Sequence, residues 1–89
     1  MVADIKGSSC HLTGANVSSS ADLTEAILYE VDLTGANLSN TFLYSTNLTN
    51  ANLTGSNLED AILSGVLWSN TTCPDGSNSD TNGLNACVP

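Results

Sequence analysis

The side chains able to do chemistry are few, and their spacing does not gather them. His11 is the one histidine of the chain. A nucleophilic triad needs a base with an orienting partner, and a zinc site needs several ligands. One histidine supplies neither, so His11 reads as a surface residue. Glu25 and Glu30, and Glu59 beside Asp60, are carboxylates near in sequence. Acid–base hydrolysis needs two carboxylates opposed across a cleft, and nothing in their spacing provides that. Ser and Thr are abundant, but no base recurs beside them. The segment Asn78-Ser79-Asp80-Thr81-Asn82-Gly83 has the first half of a calcium loop, with oxygen donors at alternate positions and then Gly. Asn78, Asp80 and Asn82 would be the ligands of a weak site. The place of the bidentate Glu falls on Pro89, so a plain polar loop is the competing reading. No catalytic residue, cofactor or small-molecule substrate is expected, and the chain reads as a non-enzyme.

Composition narrows the class further. The chain has 89 residues, 40% hydrophobic but 4% aromatic and 11% charged, with a formal net charge of -8. That length makes one domain near the lower limit of a self-supporting core. The core must be narrow and built from Leu and Ala, with Ser, Thr and Asn on the surface. Lys6 is the one Lys or Arg, so binding to nucleic-acid phosphates or anionic membrane surfaces is not expected. No apolar run of about 18 residues is present to span a bilayer. Met1–Gly7 carries no apolar export signal, so an exported protein would have lost it.

What must position any functional side chain is a repeat. From Ala21 to Asp75, 11 consecutive units of five residues follow one another without a break. The middle residue is Leu23, Leu28, Leu33, Leu38, Leu43, Leu48, Leu53, Leu58 and Leu63, then Trp68 and Cys73. A small residue or Val stands two places before each. Five residues advance an α-helix by about 140° beyond a full turn, which scatters the leucines. In a straight strand they alternate between faces. A chain that bends equally every five residues keeps all of them inside. Stacked on itself at ~4.8 Å per layer, it is a solenoid with a Leu core running from Leu23 to Trp68.

The pattern Ala21-Asp22-Leu23, Ala36-Asn37-Leu38, Ala51-Asn52-Leu53 resembles the A(D/N)LXX motif of the pentapeptide-repeat family. The resemblance implies an all-β, right-handed quadrilateral β-helix with four units, about 20 residues, per coil. It also implies an inward Leu and an inward small residue. The residues before each Leu agree with four sides. Asp22, Asp32, Asn37, Asn47, Asn52, Asn57 and Thr72 are polar. The exceptions sort by a 20-residue coil: Phe42 and Ile62 on one side, Ile27 and Leu67 on the next. Tyr44 and Tyr29 join those two sides. Ile27, Tyr29, Phe42, Tyr44, Ile62 and Leu67 thus form the candidate interaction patch.

In chain order, residues 1–20 are an irregular first coil and cap, with Ser20 as an extra residue at a corner. Residues 21–75 are the regular coil, and 76–89 a capping tail. Three to four coils result, with open ends that need covering. Trp68 takes a Leu place above Leu48 and Leu28, where an indole can fold over the open end. Cys10 and Cys73 stand about three coils, ~15 Å, apart, beyond the ~7 Å limit of bridged Cα atoms. Cys73–Cys87 closes a short loop and is the favoured pair, leaving Cys10 a buried thiol. Cys10–Cys87 requires the tail to run back along the stack. A disulfide places the protein outside the cytoplasm, in a periplasm, lumen or exterior. The tail WSNTTCPDGSNSDTNG also resembles that of some exported bacterial pentapeptide-repeat proteins.

Two functions fit. The first is a structural or protein-interaction module acting through its surface, with a protein partner or self-association through the apolar patch. The alternative comes from the resemblance: some members of the family mimic DNA as acidic rods and bind DNA gyrase. Those rods have roughly twice as many coils.

Overall fold

The computed structural model describes Gly14, Asn16, residues 21–83, Ala86 and Cys87. Cys10, His11, Ser20 and most of the irregular first coil lie outside the described residues.

Each five-residue unit is one short extended step and one tight turn. The Leu carbonyl accepts the N–H of the residue three places on, as in Ala26 to Leu23 (2.9 Å), Ala36 to Leu33 (3.0 Å) and Ala51 to Leu48 (3.0 Å). The residue just before that donor has positive φ, as at Glu25 (61°), Glu30 (62°), Gly35 (71°), Asn40 (59°) and Asn50 (61°). Positive φ at the third position of such a turn is the type II pattern, which favours Gly and Asn. The fifth place of the repeat is therefore a backbone position, and its Gly and Asn residues are chosen for it. Glu25, Glu30 and Ser45 occupy it against preference. Glu30→Asn is expected to raise stability by about 0.5–1 kcal/mol, read as a higher urea midpoint. At Gly65 (φ 74°) the opposite change is costly. An added Cβ would sit 3.0 Å from Ser45 Oγ as well as straining the turn.

Four such turns return the chain above itself. Parallel bridges join Asp22, Phe42 and Ile62 on side 1, and Ile27, Asn47 and Leu67 on side 2. Asp32, Asn52 and Thr72 stack on side 3, and Asn16, Asn37 and Asn57 on side 4. The step is 20 residues throughout, except that Asn16 pairs with Asn37 one residue later. The extra residue lies before Asp22, where the sequence breaks register. Gly14 follows the same offset, donating its N–H to Thr34 O at 2.8 Å. Pairing is by single-residue bridges and not by continuous strands, because a turn every five residues leaves one extended residue per side.

The layers are joined by alternating donors. Leu43 N–H donates to Ile62 O (2.9 Å), and Ile62 N–H donates back to Thr41 O (2.9 Å). The same exchange joins Leu38 to Asn57 and Asn57 to Ala36. Inside, Leu28, Leu33, Leu38, Leu43, Leu48 and Leu53 are completely enclosed, and Leu23 and Leu58 nearly so. The second inward row is Ala26, Val31, Ala36, Thr41, Thr46, Ala51, Ser56 and Thr71. A buried hydroxyl is tolerated there where the backbone accepts it. Thr46 Oγ1 donates to Leu23 O (2.8 Å) and Thr71 Oγ1 to Leu48 O (2.7 Å), each reaching a carbonyl of the layer below.

Two residues expected in the core depart from it. Leu63 and Trp68 pack against the Leu columns but are half-buried. They belong to the last layer on sides 1 and 2, and the described tail covers side 3 instead. Among the described residues, neither Leu63 nor Trp68 has another layer above it.

Candidate interaction surfaces

The polar residue before each Leu does more than face water. Its side-chain oxygen accepts the N–H two residues on. Asp22 does so for Thr24 (3.0 Å), Asn37 for Ser39 (3.1 Å), Asn47 for Thr49 (3.0 Å), Asn52 for Thr54 (3.0 Å) and Asn57 for Glu59 (2.9 Å). Asp32 serves Thr34 in the same way and takes its hydroxyl too, at 2.6 Å. These are Asx turns, which brace the corner that follows. Sequence reasoning saw only outward polarity there; the signal available was the preference for Asp and Asn over other polar residues.

The brace moves two pKa values. The hydroxyl and N–H of Thr24 pull the Asp22 carboxyl from its ordinary 3.8 to about 2. Ser77 holds Asp75 low in the same manner. A folded-state value below the unfolded one stabilises the fold above the unfolded pKa. That contribution is lost as pH falls from about 4 towards 2. Asp22→Asn keeps the accepting oxygen and cannot titrate. Between pH 6 and pH 2.5 the melting temperature of the wild type is therefore expected to fall relative to that of this variant.

On sides 1 and 2 the braces give way to apolar residues. Phe42 and Tyr44 are exposed by 37% and 43%, and their rings lie nearly parallel, 6° apart in plane with centroids at 6.3 Å. Ile62, half-buried, sits in the next layer beside Phe42. Ile27, Tyr29 and Leu67 are exposed on side 2. Asn47 stands between Ile27 and Leu67 in that column. Side 1 thus carries a continuous apolar cluster, whereas side 2 is divided. Glu25, Glu59 and Asp60 are exposed at corners.

The tail turns back before the fourth side of the last coil. Asp75 braces Ser77, and Thr72 pairs antiparallel with Asn78. Ser79 is fully buried; its hydroxyl donates to Trp68 O and accepts Thr71 N–H (3.0 Å). Asp80 accepts Asn70 N–H at 3.1 Å. Side chains of the tail thus replace the missing layer over the corner between sides 2 and 3. A disulfide joins Cys73 and Cys87. Asn78, Asp80 and Asn82 are engaged in this cap. Asn78 Oδ1 accepts Asp80 N–H, and Asn82 Nδ2 donates to Ala86 O. Among the described residues no group of three or more His, Cys, Asp or Glu could hold a metal ion. Nor is any described helix long and apolar enough to cross a membrane.

Between side 4 of the last layer and the disulfide lies an open pocket of about 850 Å³, with Leu58 and the two cysteines among its lining residues.

A four-sided coil with a Leu column and one bridge per five residues defines a repeat solenoid. The pentapeptide-repeat family model matches residues 8–40 and 26–65, with 8 copies, and the chain belongs to the pentapeptide-repeat family. Such proteins fold as right-handed quadrilateral β-helices. Among solved structures, the chain is similar to HetL, a pentapeptide repeat protein involved in heterocyst differentiation regulation from the cyanobacterium Nostoc. Identity is 29%, coverage 84% of this chain and 42% of HetL, and the TM-score 0.66. A pentapeptide repeat protein from the Arabidopsis thaliana thylakoid lumen matches at 25% identity over 78% of this chain and 60% of its own, with a TM-score of 0.37. The chain therefore spans about two fifths to three fifths of these proteins' lengths. No curated protein matches it at significant similarity.

Proposed function

We propose that this chain is a structural and protein-interaction module working outside the cytoplasm, built as three to four coils closed by the disulfide-tied tail. Residues 21–75 form the working scaffold, 1–20 and 76–89 its caps. The observation that carries the reading is the Phe42–Tyr44 pair beside Ile62. Large apolar groups left in water on one side of a coil mark a contact surface. The described tail lies over side 3, which leaves the cluster free to meet a protein partner or a second copy. Sedimentation equilibrium tests this. Wild type is expected to self-associate at high concentration, and Phe42→Ser with Tyr44→Ser to remain monomeric with the same melting temperature. A monomeric wild type whose Phe42 variants bind and melt unchanged would end the proposal.

The Cys73–Cys87 bond supports an oxidising compartment such as a periplasm, lumen or exterior. Intact mass after alkylation of the native protein, with and without reduction, reads it directly: two further sites must label on reduction.

The acidic surface, net charge -8, favours one other reading, a DNA-mimic binder of DNA gyrase. The longest dimension is 31 Å, less than one turn of duplex DNA, about 34–36 Å. Absence of any effect on gyrase supercoiling at micromolar protein would remove this reading.

A further inference from the structure

The pocket at the C-terminal end of side 4 is bordered by an unfinished backbone edge. One layer down, the side 4 segment is joined to the segment above it by three bonds: Leu38 N–H to Asn57 O, Asn40 N–H to Glu59 O, and Asn57 N–H to Ala36 O. One layer up, the corresponding groups are Leu58 N–H, Asp60 N–H and Ser56 C=O. No described residue pairs with any of them, because the chain turns back at Pro74–Gly76 before reaching side 4. Unpaired strand edges are templates for another chain.

A second observation points the same way. Ser56 takes the small inward place on this side and is 8% exposed, yet its hydroxyl has no hydrogen-bond partner. Thr41, Thr46 and Thr71, in equivalent places, each reach a carbonyl. Ser56 lines the pocket together with Leu58, Glu59, Asp60, Asp75 and the Cys73–Cys87 pair. A buried hydroxyl without a partner is costly unless something in the pocket bonds it. The volume, about 850 Å³, is that of a site for a sizeable ligand.

We propose that this pocket binds an extended, basic peptide segment of another protein by β-augmentation, as the next side 4 segment of the coil. The peptide's carbonyls accept the Leu58 and Asp60 N–H groups, and one of its N–H groups donates to Ser56 C=O. An apolar side chain rests on Leu58 and the disulfide. Flanking cations face Glu59, Asp60 and Asp75. Main-chain bonds supply affinity and the side-chain pockets supply choice. Charge selects the occupant: with net charge -8 and Lys6 as its lone Lys or Arg, a second copy of this chain is a poor one. This surface is separate from the apolar cluster on side 1, so either can fail without the other.

The test is an amide-resolved titration of the oxidised full chain with the blocked pentapeptide Ala-Lys-Leu-Lys-Ala. Shifts and slowed exchange are expected at the Leu58 and Asp60 amides, with Phe42 and Tyr44 unmoved. Glu59→Lys should weaken this peptide about tenfold and improve binding of Ala-Glu-Leu-Glu-Ala. N-methylation of the amide of the peptide's first Lys, whose N–H is the one placed to donate to Ser56 C=O, should abolish binding without affecting the protein. Millimolar peptide leaving Leu58 and Asp60 unchanged would overturn the proposal. So would equal binding of the Lys and Glu peptides, or protection of these amides that grows with protein concentration alone, which assigns the edge to a second copy.

Discussion

Leu48→Ala is expected to cost about 3–5 kcal/mol, the largest effect of any single truncation in the coil. Leu48 is fully enclosed, with Leu28 below it and Trp68 above on side 2. The cavity cannot collapse, because the neighbouring layers are fixed by backbone bonds: Leu48 N–H to Leu67 O at 3.0 Å, and Leu28 N–H to Asn47 O at 2.9 Å. Removing a leucine therefore leaves its full transfer loss and a void. A small domain has about 5–15 kcal/mol in total, so this one change takes a large share. Leu63→Ala, at a half-buried place in the last layer, should cost about 1–2 kcal/mol. Urea unfolding of the two variants checks the ratio. Equal losses would mean that the last layer is as enclosed as the middle one.

Replacing Cys73 and Cys87 by Ser is expected to destabilise the chain by about 3 kcal/mol, since the bond spans 14 residues. The consequence is local as well as global. Without the bond, the tail is held by Ser79 and Asp80 over the Trp68–Thr71 corner. Trp68 emission should move to longer wavelength before the Leu columns unfold. Ser79→Ala, which leaves the bond intact but strips Trp68 O and Thr71 N–H of their partner, should cost about 1–3 kcal/mol and give a smaller shift of the same sign. A disulfide-free variant with unchanged melting and unchanged Trp68 emission would show that the tail does not cap the coil.

The repeat was legible because one physical demand, an inward side chain every five residues, acts on every unit alike. Leu at the middle place met that demand from Leu23 to Leu58. The four sides were legible from the departures, since Phe42 and Ile62 fall in neighbouring layers of side 1. The rest depended on interactions that no repeat encodes. Trp68 and Leu63 share the sequence signature of the core, but their burial depends on what lies above them, which is set by the direction of the tail. That direction is decided by the Asp75 brace on Ser77 and by Ser79, residues whose types suit any polar loop. Asn78 and Asp80 carry the same ambiguity: oxygen donors at alternate places suit a cation loop and an Asx turn alike, and Asn78 Oδ1 accepts Asp80 N–H here. Ser56 differs from the Thr residues in equivalent places by one methyl group. Its unpaired hydroxyl could be seen only once the layer below and the pocket beside it were in place.

Residue-resolved hydrogen exchange tests most directly the claim that side 3 of this coil is closed while the end of side 4 stands open for a partner. Leu38, Leu43, Leu48 and Leu53 donate their N–H groups to the layer above, Leu53 to Thr72 O at 2.8 Å. These amides are predicted to exchange slowly. Leu58, Asp60 and Leu63, one layer on, are predicted to exchange orders of magnitude faster in the same sample. Slow exchange at Leu58 and Asp60, matching that of Leu38 and Asn40 at low protein concentration, would contradict the open edge.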